Sequence, residues 1–477
     1  MAHPGATIPT PGIWQEDRHA LAQPRGLVDD VAVLAFFFIF YANLAVVASR
    51  LHGVPQFVAS AVVLLVVIPV VRYVVVERQP LVVTPVLPLV FAFLGALFLT
   101  AVLSKDPSVS RAPLGTYLTE GLILYVLVTN AVRRTSTLTR VVWALILAGA
   151  LMGAVSVVQE LTHTYANDYG GLAQIDRFGT GGGFNVAPQD APEKILRPRL
   201  GGPLGSENRY AQILAAVLPL ALIRAFRERK RRLRLAATGC SLLIMGGLLL
   251  TFSRGAAVAV AATLAFMALL RELPIRHLLA ALAVLILLVG LVVPDYVTRL
   301  RSLDSVTALS SSDSSQPPDS AIVGRRTENL AAWHTFLDHP IVGVGPSVYF
   351  KEYSRQNANR LGLKYLNSER RGHSLYLELA ADSGLIGLGS FLAMVGTALV
   401  LLHRSARRWR PHDPERAILA SSFLFGLFAY LACGIFLHLS YQRYFWVLLA
   451  LASSTIWALR QDANELVRPS RAPEASA

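Results

Sequence analysis

His373 sits in the run Arg370-Arg371-Gly372-His373-Ser374, directly before a long apolar segment that contains Gly384 and Gly387. An imidazole titrates near neutral pH, so it can accept a proton as a general base. Two arginines beside it favour its neutral, basic form by like-charge repulsion. A water-exposed loop entering a membrane helix is a suitable place for proton transfer next to an anionic, lipid-linked substrate. A loop histidine standing alone is more often an exposed or structural group, so its surroundings decide how to read it.

Arg254 is the second candidate. Thr251-Phe252-Ser253-Arg254-Gly255 joins two apolar runs with almost no loop. A guanidinium pinned at a membrane surface is costly unless it meets an anion or a water-filled cavity. Its fork of donors matches a pair of phosphate oxygens. The plainer reading is an arginine that snorkels to lipid headgroups. Arg197, Arg199 and Arg209 flank a Gly/Pro-rich turn that leads into another apolar run and could reach the same cavity. Asn208 there either caps the following helix or binds a sugar hydroxyl, and capping is the commoner role. Arg325 and Arg326 could contact a diphosphate or lipid headgroups. Glu378 and Asp382 follow His373 at i and i+4 of one helix, where intramembrane carboxylates either serve function or link helices. Glu120 and Glu160 carry the same two readings.

Other chemistries lack residues. The sequence holds no Asp-x-Asp pair, no phosphate-binding Gly-x-x-x-x-Gly-Lys loop, no serine-centred nucleophile elbow and no cysteine pair. Neither a metal-dependent site nor a nucleotide-driven engine has support. Cys240 and Cys433 both fall in apolar runs, which excludes a disulfide framework.

The elements that would position these groups are membrane helices. The 477 residues are 54% hydrophobic, and roughly 20 apolar residues cross a bilayer core. Twelve spans are expected, at 30–49, 55–76, 81–103, 113–132, 140–161, 209–226, 235–252, 255–271, 277–294, 374–402, 416–437 and 441–459. The chain then divides into an N-terminal tail (1–29), nine spans with a loop at 162–208 (30–294), a large loop (295–373), three spans (374–459) and a C-terminal tail (460–477). The first run has no cleavage signature and reads as a retained span. The formal charge of +14 would suggest nucleic acid in a soluble protein. Here much of the excess lies in short loops, where it sets topology instead. The basic loops around 133–140, 224–234 and 403–410 fall on one side with both termini, which is expected to be cytoplasmic. Both long loops then face outward. In the second, 305–320 is low-complexity. Residues 327–338 read as a helix capped by Thr327, with Leu330, Trp333, His334 and Leu337 on one stripe and Trp333 as an interface anchor.

These pieces resemble the bacterial O-antigen ligases. The family signature is a histidine, a small polar residue, nine positions, a glycine and another small residue three later. His373-Ser374, then Gly384-Leu385-Ile386-Gly387, matches it. Gly205-Ser206-Glu207-Asn208-Arg209-Tyr210, Ser253-Arg254-Gly255, and the stretch from Arg326 through Trp333, His339-Pro340 and Gly343-Val344-Gly345 resemble further shared elements. Together they cover roughly 205–390 in the family order. O-antigen polymerases and protein O-oligosaccharyltransferases share a looser version, and the C-terminal extension of the latter is absent.

The resemblance implies an all-helical integral-membrane glycosyltransferase of the GT-C kind in the bacterial inner membrane, with its active site on the periplasmic face. It implies transfer of a glycan from undecaprenyl diphosphate to a sugar hydroxyl of lipid A-core, with inversion and without metal or other cofactor. His373 would be the base. Arg254 would bind the donor diphosphate, then Arg199 and Arg326, with Arg197 and Arg325 in reserve. Arg370 and Arg371 would bind acceptor or donor phosphates, and Asn208, Glu378 and His339 would bind or orient sugar. The alternatives are an O-antigen polymerase, a protein O-oligosaccharyltransferase and, from another class, a lipid-linked glycan transporter. The clustering of candidates on one face and the lack of an internal repeat weigh against the transporter.

Overall fold

The computed structural model describes residues 27–175, 183–185, 196–292, 320–362, 371–438 and 442–467. The described chain is almost entirely helical. In order the helices are α1 (Leu27–Tyr41), α2 (Leu44–Leu51), α3 (Gln56–Val76), α4 (Leu87–Val102), α5 (Pro107–Ala131), α6 (Thr135–Leu161), α7 (Glu207–Arg227), α8 (Arg231–Leu249), α9 (Arg254–Leu269), α10 (Ile275–Val292), α11 (Ser320–Asp338), α12 (Ser354–Arg360), α13 (Leu375–Trp409), α14 (Pro414–Cys433) and α15 (Gln442–Val467). Four short strands lie between α6 and α7 and pair antiparallel, first with fourth and second with third.

Described helices overlap the segments expected to span a membrane, but not all of them are long and apolar enough to cross one. Seven described helices are long and apolar enough to cross, or eight if α1 and α2, bent by 58° at their junction, form one span. Helices α4 and α9 are apolar but shorter. The bend follows from Asn43, which takes a left-handed conformation between the two helices, one that asparagine tolerates better than most residues.

Helix α7 is the axis of the bundle. It is almost wholly buried, with an apolar middle and charged residues toward its two ends. Helices α8 and α14 pack along it. Helix α3 stands at the periphery and exposes its apolar side, as a lipid-facing helix should. A chain of aromatic rings ties α4, α13 and α15 together. Phe93 lies 5.5 Å from Phe391, Phe391 lies 5.5 Å from Phe445, and Phe445 lies 5.4 Å from Trp446. Such pairs contribute about 0.5–1.5 kcal/mol each beyond their burial.

The three basic loops meet at one end of the bundle. Glu272 pairs with both Arg227 and Arg410. Arg224 donates to Glu228 and Glu415. Asp462 pairs with Arg416 and accepts from Thr135. These contacts join the ends of α7, α9, α13, α14, α15 and the start of α6. The candidate residues gather at the opposite end.

Helix α11 differs from its expected form. It starts at Ser320, so Thr327 is a buried interior residue rather than a cap. Ala331, Ala332 and Thr335 face the protein, while Trp333 and Leu337 are exposed. Small residues let this helix approach α13 closely, and the larger stripe is left outside.

Candidate functional site

Ser374 is the N-cap of α13, and its Oγ accepts from the Leu377 amide. That cap ends the preceding loop one residue after His373, which explains the small polar residue in the pair. The Leu375 amide donates to the Gly434 and Leu437 carbonyls, fixing the start of α13 against the loop between α14 and α15. His373 is half-buried. Its Nε2 lies 3.1 Å from Oε2 of Glu328, a buried carboxylate on α11. Its ring lies 6.4 Å from that of His438. Burial, followed by the charges of Arg209, Arg371 and His373, holds His438 well below the ordinary histidine range, so this second imidazole stays neutral at physiological pH.

Arg371 lies 3.5 Å from Glu378 and 4.7 Å over the Phe350 ring. It opens onto a cavity of ≈ 360 Å³ lined by Arg371, Glu378, Asp382, Lys351, Tyr117 and Gln442 among others. Asp382 has a structural task there: its carboxylate accepts from the amides of Ser347 and Tyr349 at 2.9 and 3.1 Å. It clamps the large loop onto α13.

Gly384 of the signature and Gly343 of the large loop belong to the same clamp. Helix α13 is broken at Gly384, whose φ is +59°. The break frees two amides, and Leu385 and Ile386 donate to the carbonyls of Pro340 and Ile341. In return Val344 and Gly345 donate to the carbonyls of Ala381 and Asp382. A Cβ on Gly384 would sit 2.3 Å from the Ile341 oxygen, and one on Gly343 would sit 2.5 Å from the Asp382 carbonyl. Two backbones touch, and only glycine permits it.

A second group forms around Asn208. Its Oδ1 accepts from Ser253 Oγ at 2.9 Å and from Arg199 Nη2 at 3.2 Å. The N-cap of α7 is Ser206, so Asn208 instead joins two helix starts. Arg199 also pairs with Glu207 and donates from Nε to the Thr251 carbonyl at 3.0 Å. Ser253 caps α9, and Arg254 is its first helical residue, buried at that junction. Arg209 donates to the His438 carbonyl. His438 thus bridges the Arg199–Asn208–Arg254 group and the His373–Arg371–Glu378 group.

The remaining candidates lie farther along the large loop or outside these groups. Arg325 is half-buried and Arg326 exposed on α11, one turn from Glu328. His339 packs edge-on to Tyr353 at 5.9 Å. Arg197 lies in the third strand opposite Phe184. Arg370 and most of the low-complexity stretch 305–320 lie outside the described residues. Among the described residues no group of three His, Cys, Asp or Glu could hold a metal ion.

Residues 239–392 match the family model described as O-antigen ligase. That match, over about a third of the chain, supports the O-antigen ligase/polymerase superfamily. The family implies a membrane glycosyltransferase-like enzyme. No curated protein matches the chain. The O-antigen ligase domain contains Arg254, α11, Glu328, His373 and the interlocked glycines. Arg199, Asn208, Arg209 and His438 lie outside it, although they complete the same end of the bundle. Sequence reading missed Glu328 and His438. Glu328 is one charge in a polar helix face, and His438 lies in a short loop remote from every motif. Only the fold brings them beside His373.

Proposed function

We propose that this protein is an O-antigen ligase, transferring a glycan from undecaprenyl diphosphate to a sugar hydroxyl of lipid A-core. The observation that carries the reading is the meeting of His373 with a buried carboxylate and a group of arginines at one end of the bundle. The acceptor hydroxyl attacks the anomeric carbon as His373 takes its proton. The bond from that carbon to the phosphate oxygen breaks, and the diphosphate leaves with the electron pair. One displacement inverts the anomeric centre. The departing diphosphate gains charge, and fixed guanidinium donors at Arg254 and Arg199 stabilise it. Arg371 takes a phosphate from either substrate, and Arg326 and Arg325 reach in from α11.

Glu328 orients the imidazole in this scheme. Its carboxylate faces the Nε2 edge of the ring at 3.1 Å, and the imidazole takes the acceptor's proton. The carboxylate also stabilises the imidazolium formed on transfer, as in other carboxylate–histidine pairs. The site end faces the periplasm of the inner membrane, α11 and the interlocked segment 340–345 lie beside it, and the basic end faces the cytoplasm. Arginines take the place of a metal ion at the diphosphate.

The test is lipopolysaccharide gel analysis of a deletion strain carrying wild type or His373→Ala, with undecaprenyl-linked glycan measured in the same cells. Polymer should be lost from lipid A-core, accumulate on the carrier and return to lipid A only with wild type. Core bearing a single repeat unit would identify a polymerase instead. An unchanged pattern would reject both.

A further inference from the structure

A second cavity lies apart from the one beside Arg371. A furrow of ≈ 830 Å³ runs between α1, α2, α3 and α5. Its walls are mainly apolar, with Phe36, Ile39, Phe40, Val62 and Val63 prominent. The 58° bend after α1 splays α2 from the bundle and leaves the space open. Arg50, at the end of α2, and Arg443, at the start of α15, supply two cations to its lining. Glu120, from the middle of α5, supplies one carboxylate.

Arg443 is the unusual wall residue. Its Nη2 donates to Asn43 Oδ1 at 2.8 Å, and the guanidinium lies over the Tyr444 ring at 5.4 Å. Its Nε is buried and has no hydrogen-bond partner among the described residues, and no carboxylate there forms an ion pair with it. A guanidinium in an apolar wall is costly unless an anion joins it. Asn43 also donates to the Pro203 carbonyl at 2.8 Å, which ties Arg443 to the loop that precedes Asn208. The neighbouring residue, Gln442, lines the cavity of Arg371 and Glu378. Adjacent residues therefore face the two cavities.

We propose that this furrow binds one polyisoprenyl chain of the lipid-linked donor, with its first phosphate at Arg443. The inference rests on the glycan-transfer reading above and adds the route by which the lipid reaches the site. A single furrow of this volume, within the roughly 300–1,000 Å³ of ordinary ligand sites, accepts a stretch of one chain. The positive balance of the lining suits a phosphate, and Arg443 directly follows Gln442, which lines the cavity of Arg371 and Glu378.

The test uses full-length protein in detergent, with equal amounts of undecaprenyl phosphate and phosphatidylglycerol, and native mass spectrometry to read retained lipid. Wild type should retain undecaprenyl phosphate in preference. Ala59→Trp fills the furrow and Arg443→Gln removes its charge. Each should weaken retention about tenfold or more, the scale of one charge-assisted contact. Leu64→Trp, on the exposed side of α3, should retain it as wild type does. Thermal unfolding midpoints identify any variant that has lost its fold, and the other then carries the test. Unchanged retention in both folded variants, or equal retention of phosphatidylglycerol, would overturn the proposal. His373→Ala separates the two readings. If it still transfers glycan, the base assignment fails while lipid retention stands.

Discussion

At the residue scale the account depends on His373 and the carboxylate that faces it. His373→Ala should lower glycan transfer by about 10²–10⁴-fold, the usual contribution of a general base, with expression unchanged. Glu328→Gln keeps the shape of the side chain and removes its charge. It should lower turnover by about tenfold or more, with little change in the apparent affinity for either substrate, because Glu328 acts through the imidazole. Steady-state kinetics of the purified variant check this. Loss of affinity with unchanged turnover would mean that Glu328 contacts substrate instead. His373, Arg254 and Arg371 stood out in the sequence because each lies beside the start of an apolar run. Asn208 was read less well. Its position suggested a cap, but Ser206 occupies the N-cap position, and Asn208 joins Arg199 to Ser253. Side-chain bonds between helices far apart in the chain leave no local pattern to read.

At the scale of elements, the interlock of 340–345 with 381–386 gives Gly384 of the signature a mechanical meaning. It holds the large loop against α13 through four backbone hydrogen bonds and the Asp382 clamp, and it thereby places α11 and Glu328 beside His373. Gly343→Ala adds a Cβ to a contact of 2.5 Å at a positive φ. The cost should be about 1–3 kcal/mol or more, visible as a lower unfolding midpoint and as lost transfer although no reacting group has changed. Asp382→Asn should act in the same direction, since both of its amide partners would then bond a weaker, uncharged acceptor. The helices themselves were largely legible, because runs of about 20 apolar residues report spans directly. Helix α11 was less so. Its larger stripe was expected to organise it, whereas Ala331 and Ala332 make the contact with the protein. Close packing selects small side chains, and hydrophobic periodicity does not register them.

For the whole molecule, the two ends of the bundle hold different kinds of charge. At the basic end, Glu272 joins Arg227 and Arg410, and Arg224 joins Glu228 and Glu415. These pairs close helix ends onto one another and take no part in the proposed reaction. Glu272→Gln would leave two guanidinium groups without their shared carboxylate. Removing one partner of a buried ion pair costs about 3–5 kcal/mol, so the unfolding midpoint should fall while the protein that remains folded transfers glycan at the wild-type rate. At the other end the arginines gather where the proposed diphosphate must sit. Loop charge made this division visible in the sequence, but the sequence did not show that His438 links the two arginine groups.

The central claim is that His373 and the arginines of this end move a glycan from a polyprenyl diphosphate to a lipid A-core hydroxyl without a metal. The most direct measurement is transfer by purified full-length protein in lipid nanodiscs, given undecaprenyl-diphosphate-linked glycan and lipid A-core in the presence of EDTA. The account predicts glycosylated lipid A-core of inverted anomeric configuration with wild type, and little or none with His373→Ala. Retained configuration, a requirement for added divalent cation, or undiminished transfer by His373→Ala would contradict it.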